Sequence, residues 1–429
     1  MNSQHIPDSV QKLLDRMASK LDDNPQLLAI ARNGFANTLQ NTIFRMDDGT
    51  TFVITGDIPA MWLRDSVAQV RPFLVPAQDD EELADMIEGL VRRQMKYIVL
   101  DPYANAFNAE PSGQGHQNDR TEMNPWLWER KYEIDSLCYP IQLSYLLWKN
   151  TGRAAHFDET FKEAMKTILR VWRTEQRHET ESGYTFERSD CPVTDTLQRE
   201  GRGAETAYTG MTWSGFRPSD DACKYGYLIP ANMFAVVTLG YLEQIAQEVL
   251  DDSALAVEAA HLRREINEGI RRFAVCSHSE YGEIYAYETD GLGNHHFMDD
   301  ANVPSLLSIP YLGYCDQSNP IYQNTRKFVL SGNNPYFFQG AAGEGIGSPH
   351  TPDRYIWHIA LAIQGLTAGT KEEKLRMLRL MADTDAGTGM MHEGFDADDP
   401  HRYTRPWFSW ANMMFSELLM DYCDIHVKR

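Results

Sequence analysis

The sequence predicts an all-α protein built as an (α/α)6 barrel, a toroid of paired helices with long active-site loops and minor β-hairpins. Two observations support this prediction. Apolar residues recur at helical spacing along most of the chain, and the helical segments alternate with long loops that carry many aromatic residues. A helical solenoid is the competing architecture, but solenoids usually show a fixed sequence period, and none is detectable. No Pro- or Ser-rich linker divides the chain, so residues 1–429 are expected to form a single domain.

Each element is predicted from its apolar face. Leu137, Ile141, Tyr145 and Trp148 share one helical face, Phe161, Met165, Ile168 and Trp172 a second, and Phe234, Val237, Tyr241 and Ile245 a third. In chain order, the further helices are expected at residues 8–22, 25–45, 65–76, 80–99, 252–275, 318–331, 352–368, 371–384 and 407–425. Strands are expected only at 51–55 and in a hairpin over 283–298, whose turn is DGLGN. Loops as long as 101–131 and 178–223 are uncommon unless they build a site.

The excess of acidic over basic residues limits the kinds of molecule that this protein is expected to bind. With 61 acidic and 40 basic residues, the chain has a formal net charge of −21. Nucleic acids and anionic lipids are bound by basic patches, so neither is an expected partner. An uncharged substrate fits this surface better, although acidic surfaces most often serve solubility.

Three further features of the sequence indicate the cellular location of the protein. The N-terminus MNSQHIPDSVQ is polar and shows no secretory signal, and no window has the ~20 apolar residues that span a bilayer. Six cysteines are scattered without CxxC spacing, which favours buried, reduced thiols over a zinc site. We therefore expect a cytoplasmic protein, without a membrane partner, that is a monomer or a weak homo-oligomer.

Three loop motifs indicate a carbohydrate ligand. The first, GDIPAMWLRDS at residues 56–66, places Asp57, Trp62, Arg64 and Asp65 close together. Carboxylates and arginine bind sugar hydroxyls, and an aromatic face covers the apolar side of a sugar ring. Similar mixtures occur in RPSDDACKYGY at 217–227 and in MMHEGF and RPWFSW between 390 and 410.

Cleavage of a glycosidic bond needs two carboxyl groups that flank it. The acidic residues that lie in loops beside aromatic residues are Asp57, Asp65, Glu133, Asp135, Asp220, Asp221 and Glu393. The Asp220–Asp221 pair precedes a helix expected to start near Cys223, and capping that helix is the commoner use of such a pair. Glu393 lies among glycines, where catalysis and a loop-stabilising hydrogen bond are equally good explanations.

Other chemistries have less support. Trp407 and Trp410 share a face at the start of the last helix, where one could stack on a sugar, although core packing is commoner. His295, His296, Asp299 and Asp300 could in principle bind a divalent ion, but adjacent histidines on a strand point in different directions. No HExxH, GxGxxG, Walker or GxSxG motif is present, so no metal, no other cofactor and no serine nucleophile is expected.

Six motifs in order resemble glycoside hydrolase family 125, the bacterial and fungal exo-α-1,6-mannosidases. They are GDIPAMWLRDS, KYEIDSL, FRPSDDACKYGYLIPANMF, DDANVPSLLSIPYLG, SPHTPDRYIWHIAL and HEGF with RPWFSWAN, and the resemblance runs from about residue 25 to the C-terminus. It implies an (α/α)6 catalytic domain and metal-independent hydrolysis with inversion. It also implies release of non-reducing terminal α-1,6-linked mannose, from N-glycan fragments or from fungal mannan.

The residue roles follow from the resemblance alone. It implies that Asp220 is the general acid, kept protonated by a raised pKa, and that Glu393 is the general base. It brings Trp62, Arg64 and Asp65 to the terminal mannose subsite, with Asn302 and Arg354 added from their own motifs. Without it, the choice between Asp220 and Asp221 stays open.

Three alternatives remain at this point. An epimerase on the same fold would need a base such as histidine acting at C2. A phosphorylase would need a basic phosphate pocket, to which Arg199 and Arg202 could contribute, but no compact cluster stands out. A glycan-binding protein without activity would be marked by loss of the acid or the base, and both are present.

Overall fold

The computed structural model describes residues 6–21 and 24–429, and most of the regular structure in these ranges is helical. The α-helices are α1 Asp8–Ala18, α2 Pro25–Asn41, α3 Leu63–Val70, α4 Glu81–Leu100, α5 Ile134–Thr151, α6 Glu159–Glu175, α7 His178–Glu181, α8 Gln198–Gly201, α9 Ile229–Glu248, α10 Ser253–Phe273, α11 Ile309–Leu312, α12 Pro320–Val329, α13 His358–Leu366, α14 Lys371–Asp383 and α15 Ser409–Tyr422. The strands are β1 Ile43–Arg45, β2 Thr51–Val53, β3 Met61–Trp62, β4 Ala106–Phe107, β5 Leu127–Glu129, β6 Tyr227–Leu228, β7 Val275–His278, β8 Gly282–Tyr285, β9 Glu288–Thr289, β10 His295–His296, β11 Phe337–Gln339, β12 Glu344–Ile346, β13 Tyr355–Trp357 and β14 Gly394–Asp396. Short 3₁₀ turns lie at Arg71–Leu74, Pro76–Gln78 and Val193–Asp195.

The fold is the predicted (α/α)6 toroid. Its inner ring consists of α3, α5, α9, α11, α13 and α15, which are buried along most of their length. Neighbours within the ring touch: α3 packs on α5 and α15, α9 on α5 and α11, and α13 on α15. The outer helices α2, α4, α10 and α14 cover α15, α5, α9 and α13 respectively. Helices that are apolar on all sides, such as α9 and α13, belong inside such a ring.

The inner helices α3, α5, α13 and α15 begin at one end of the toroid, and the loops before them carry polar residues of interest. Trp62 precedes α3, Glu133 precedes α5, Trp357 precedes α13 and Phe408 precedes α15. Small sheets hold these loops in place: β3 pairs with β4, β6 with β9, and β13 with β14. The short strands therefore serve the site end of the barrel, while the helices supply the core.

Several predicted boundaries are wrong. The helix expected over 25–45 ends at Asn41, because the next residues form β1, which pairs with β2 around the turn at Asp48 and Gly49. The helix expected over 352–368 begins only at His358, because residues 355–357 pair with β14 instead. The helix expected over 65–76 begins at Leu63 and tightens into a 3₁₀ turn before residue 76.

Other predictions hold with small shifts. The helix expected over 8–22 ends at Ala18, and its last predicted residue lies outside the described residues. The DGLGN hairpin is confirmed, since Thr289 pairs with His295 across it. The segment before it pairs elsewhere, with β8 lying on β7. No helix in the two described ranges is long and apolar enough to cross a membrane.

One contiguous apolar core joins the two ends of the described chain, from Ile6 to Val427. This continuity supports the single-domain organisation, which stays a prediction. All six cysteines are free thiols, and three of them are buried, namely Cys138, Cys223 and Cys423.

Candidate active site

A pocket of about 180 Å³ opens at the N-terminal end of the inner ring. It is lined by Thr55, Ile58, Trp62, Arg64, Asp65, Pro218, Ser219, Asp220, Asn302, His350, Trp357, Glu393, Arg405, Phe408 and Trp410. These residues come from five separate stretches of the chain. Of the predicted site residues, seven meet here: Trp62, Arg64, Asp65, Asp220, Asn302, Glu393 and Trp410.

The Arg64 guanidinium organises the charge of the pocket. It lies in the first turn of α3, and its side chain is only 3% exposed. Nη1 donates to Glu133 Oε2 (2.5 Å) and Asp135 Oδ2 (3.2 Å), and Nη2 donates to Asp220 Oδ1 (3.3 Å). Asp65 Oδ1 lies 3.5 Å from Nε. One cation thus faces four carboxyl groups in a buried setting, which favours retention of protons by the cluster.

Burial changes the protonation of the cluster. Desolvation raises the pKa of Asp65 to about 6, against the opposing effect of Arg64. The same cause raises the pKa of Asp135 to about 6, again against Arg64. Both carboxyl groups therefore titrate near neutral pH, well above the ordinary range for aspartate.

The pKa values of Glu133 and Asp220 are shifted in opposite directions. Burial, supported by the nearby charge of Asp220, raises the pKa of Glu133 well above its usual range despite Arg64. Burial acts in the same direction on Asp220, but Arg64, Lys131 and a hydrogen bond with Glu133 outweigh it and hold the Asp220 pKa below its usual range. The expectation that Asp220 is protonated by a raised pKa is thus wrong for this state of the pocket. Of the two carboxyl groups, that of Glu133 has the raised pKa and therefore holds a proton more readily.

The loop that carries Asp220 is a tight turn, and no helix starts near Cys223; α9 begins at Ile229. Neither Asp220 nor Asp221 is therefore a helix cap, so that interpretation of the pair is wrong. Asp220 has φ +68°, a left-handed conformation that aspartate tolerates better than most residues. Lys131 Nζ donates to the Asp220 carbonyl at 2.7 Å and holds the turn.

Two further contacts fix this turn to the sheet behind it. Arg217 Nε donates to Glu288 Oε1 at 2.6 Å, and Ser219 Oγ donates to Asp300 Oδ2 at 2.8 Å. Charged hydrogen bonds of this kind are among the stronger ones in proteins. The Asp220 side chain, 25% exposed, is thereby presented to the pocket.

Glu393 enters the pocket from another loop, directly before β14. Its Oε1 lies 3.7 Å from Arg405 Nη1. Arg405 also pairs with Asp57 through Nε and Nη2 and donates to Thr55 Oγ1 at 3.1 Å. Asp57 therefore acts on the site through Arg405 and does not line the pocket.

Several residues that line the pocket carry a buried polar atom without a hydrogen-bond partner. Among the described side chains, Trp62 Nε1, Trp410 Nε1, Asp65 Oδ1 and Asn302 Oδ1 are buried and have no hydrogen-bond partner in the protein. Buried polar groups normally find a partner. The lining of the pocket is therefore left with unsatisfied hydrogen-bonding groups.

Two predicted binding residues do not reach the pocket. Arg354 lies at the surface, 44% exposed, and pairs with Asp398 at 2.8 Å. The Trp407 indole packs away from the pocket and donates to Asn37 Oδ1 at 2.6 Å. Its backbone instead meets Gly56, where φ is +130° and a Cβ would lie 2.5 Å from the Trp407 carbonyl oxygen.

The remaining predicted residues surround the pocket without lining it. Glu133 and Asp135 lie beneath it, at the start of α5, and are almost completely buried. Asp221 Oδ1 lies 3.3 Å from His350 Nδ1. Burial lowers the pKa of His350, but Asp221 and the other nearby carboxylates raise it to about 9 overall, so His350 is a cation at neutral pH.

The histidine pair considered as a metal site has other contacts. His295 Nε2 lies 3.0 Å from the Phe273 carbonyl, and the Asp299 carboxylate accepts the backbone N–H groups of Leu306 and Leu307. In the described parts of the chain, no group of three or more His, Cys, Asp or Glu side chains is placed to hold a metal ion.

The polar residues of the site that sequence reasoning missed include Asn105, His350 and Arg405. Arg405 begins the RPWFSW motif and His350 lies in SPHTPDRY, so the motifs themselves held the signal. Asn105, in the long loop after α4, donates to Glu129 Oε2 at 2.9 Å and contacts Asp220 Oδ1 at 3.4 Å. Only the general expectation that residues 101–131 build a site indicated it.

Comparison with known proteins shows which family the chain belongs to. The sequence model of the metal-independent α-mannosidases, GH125, matches residues 24–420. The chain belongs to glycoside hydrolase family 125. It is therefore a glycoside hydrolase of the α-mannosidase type, as its motifs indicated. Among curated proteins, the meiotically up-regulated gene 157 protein of Schizosaccharomyces pombe is 38% identical over 435 residues, which cover 96% of this chain and 85% of that protein.

Solved structures agree with the family assignment. A Streptococcus pneumoniae protein is 52% identical, with a TM-score of 0.97 and coverage of 99% of this chain and 100% of its own. It is described as one of the widely distributed metal-independent α-mannosidases and was solved in a non-productive complex with α-1,6-mannobiose. A more distant glycosidase, 14% identical with a TM-score of 0.58 in its glucose complex, shares the fold of this GH125 chain.

Proposed function

We propose that this GH125 enzyme is an exo-acting α-1,6-mannosidase that hydrolyses non-reducing terminal mannose with inversion and without a metal ion. The single observation that carries the proposal is the placement of Asp220 and Glu393, on two different loops, in one pocket with unpartnered polar groups. The likeness to the Streptococcus pneumoniae protein, solved with α-1,6-mannobiose, supports the linkage. That protein is described in connection with N-linked glycans, and we propose that its substrate class extends to this chain.

Exo action is consistent with the size of the pocket. At about 180 Å³ it is smaller than the roughly 300–1,000 Å³ of pockets for drug-sized ligands. The inner helices close it from below, so a chain end fits better than the middle of a chain. The indoles of Trp62 and Trp410 form part of the pocket lining, and Arg64 and Asp65 offer charged groups to the hydroxyls of the sugar.

In the proposed mechanism, Asp220 donates a proton to the glycosidic oxygen as the bond to C1 breaks. Glu393, oriented by Arg405, accepts a proton from the water that attacks C1 from the opposite face. Inversion needs room for this water, so the two carboxyl groups are expected about 6.5–9.5 Å apart in the substrate complex. Arg64 and Asp65 hold the mannose hydroxyls as the ring moves toward its oxocarbenium-like transition state.

The test is a proton NMR time course with α-1,6-mannobiose in the presence of EDTA. Early appearance of β-mannose is expected, and it would establish linkage, inversion and metal independence in one experiment. Early α-mannose would indicate retention and a nucleophilic Glu393. Absence of cleavage would contradict the proposed function.

The two catalytic assignments have their own prediction. Asp220→Asn and Glu393→Gln each remove one proton-transfer group and are expected to lower kcat for mannobiose by about 10²–10⁴-fold. Circular dichroism of both variants should match that of the parent protein. Near-normal turnover by either variant would show that its assignment is wrong.

A further inference from the structure

Glu133 is buried beneath the pocket, yet its carboxyl group contacts the residue proposed as the general acid. It precedes α5, its side chain is 0% exposed, and it does not line the pocket. Both carboxyl groups share the same two donors: Arg64 donates to each, and Asn105 Nδ2 lies 3.5 Å from Glu133 Oε1 and 3.4 Å from Asp220 Oδ1. Two carboxyl groups held against the same donors repel each other when both are ionised, so one of them is expected to keep a proton.

The neighbours of Glu133 indicate which of its oxygens carries this proton. Oε2 accepts from Arg64 Nη1 at 2.5 Å and from Ser136 Oγ at 2.7 Å. Oε1 has only a long contact, 3.5 Å, with Asn105 Nδ2. The same amide nitrogen lies 3.4 Å from Asp220 Oδ1, so Asn105 bridges the two carboxyl groups on the side where a proton can pass.

Burial favours the proton on Glu133, whose side chain is 0% exposed against 25% for Asp220. The charged groups that face the pair are Arg64 and Asp65 from α3, Lys131 and Asp135 beside the start of α5, and His350 from the loop before α13. Lys131 and His350 act on Asp220 and stabilise its ionised form, whereas Glu133 faces Asp135 as well as Asp220. Two carboxyl groups this close share one proton in preference to both being ionised.

We propose that Glu133 and Asp220 share a single proton, and that Glu133 is the positioning residue that stores it and returns it to Asp220 when substrate binds. The proposal rests on the proposed function, in which Asp220 is the general acid. Substrate would cover the quarter of the Asp220 side chain that is exposed. Removal of water disfavours the charged form of a carboxyl group, and this moves the proton toward Asp220.

Over one turnover the protein releases as many protons as it takes up. Glu133 passes its proton to Asp220, which donates it to the glycosidic oxygen as the C1–O bond breaks. The attacking water forms the new bond to C1 and loses its proton to Glu393. Glu393 then releases one proton to solvent and the Glu133–Asp220 pair takes one up, so the net reaction is hydrolysis alone.

The test compares two substrates in the variant Glu133→Gln. Glutamine fits the site and its amide can donate to Asp220, but it has no proton to transfer. We expect kcat/KM for α-1,6-mannobiose to fall at least ~100-fold, the lower range for general acid catalysis. For 2,4-dinitrophenyl α-mannoside, whose leaving group needs no proton, we expect a fall of only a few fold.

Asp135→Asn is the matched control. Asp135 is equally buried on α5 and accepts from the same Arg64 nitrogen, but its second oxygen, Oδ1, has no hydrogen-bond partner, so Asn105 does not bridge it to Asp220. Loss of its charge is expected to lower activity on both substrates by a similar factor. An equal loss on both substrates in Glu133→Gln, or unchanged mannobiose hydrolysis, would overturn the proposal.

Two further measurements distinguish failure of the shared-proton proposal from failure of the proposed function. Asp220→Asn should show the same discrimination between substrates; if it does not, the proposed function itself fails. In the parent protein, labelled with ¹³C at the glutamate carboxyl carbons, one glutamate should remain protonated at pH 7. This NMR measurement needs no variant, and ionisation of every glutamate at pH 7 would also overturn the proposal.

Discussion

At the scale of single residues, the charge of the pocket depends on contacts that are distant in the sequence. Arg64 contacts Glu133, which lies 69 residues later, and Asp220, which lies 156 residues later. Arg405 contacts Asp57 across 348 residues. Local spacing could indicate that these residue types suit a sugar, but it could not indicate which of them meet.

The displacement of Arg354 from the site gives one prediction at this scale. Arg354→Ala is expected to change kcat/KM for mannobiose by less than about twofold, because its side chain does not line the pocket and pairs with Asp398 at the surface. Arg405→Ala, measured in parallel, is expected to lose at least ~10-fold, because it releases both Asp57 and Glu393. A large loss in Arg354→Ala would mean that its side chain turns toward the substrate.

At the scale of elements, α13 shows how a helix start positions the loop of Glu393. His358, its first residue, is fully buried. Nδ1 lies 3.0 Å from both the backbone nitrogen and the carbonyl oxygen of His392, and Nε2 lies 3.1 Å from Thr384 Oγ1. Burial, with His392 nearby, lowers the pKa of His358 from 6.5 to about 3.

This pKa shift predicts a loss of stability in acid. Below pH 6.5 the unfolded chain takes up a proton at residue 358 that the folded protein refuses until about pH 3, so the free energy of unfolding falls as the pH falls. At pH 5 the loss from this residue is about 2 kcal/mol. Urea unfolding at pH 7 and pH 5 should show a smaller drop in His358→Asn, whose amide can still accept from His392. An equal drop in both proteins would contradict the assignment of a neutral His358.

The lengths of the helices and strands explain which of them could be predicted from the sequence. Helices such as α5, α6 and α9 repeat apolar residues over several turns, so their pattern identifies them. Strands β3, β6 and β13 have two or three residues, too few for an alternation to be visible. The motif around Arg354 fixed its place in the chain, but the turn at φ +66° directs its side chain outward.

At the scale of the whole molecule, the end of the toroid opposite the pocket is closed by the C-terminal segment. Ile425 and Val427 are buried there, and Lys428 exchanges two backbone hydrogen bonds with the Asn150 side chain. Arg71 pairs with Glu417 in the same region at 2.8 Å. The segment after α15 therefore belongs to the core, at a distance from the chemistry.

The last prediction follows from this closure. The double variant Ile425→Ala with Val427→Ala is expected to lower the free energy of unfolding by about 3 kcal/mol, because two buried side chains leave cavities. Its kcat/KM for mannobiose at 25 °C should stay near the parent value. Lys428→Ala, an exposed side chain whose backbone bonds survive, is the control for urea unfolding. Unchanged stability in the double variant would show that the segment is not part of the core.

The common direction of the inner helices α3, α5, α13 and α15 has an electrostatic consequence. The N-terminus of a helix carries the equivalent of about half a positive charge, which acts over its first turn. Asp65 and Asp135 lie in such first turns, and the other acidic groups of the pocket lie just above them. The macrodipoles of the ring thus supply positive potential that the few cations of the pocket do not. A chain with a net charge of −21 can thereby gather its carboxylates at the one place where a sugar cation has to form.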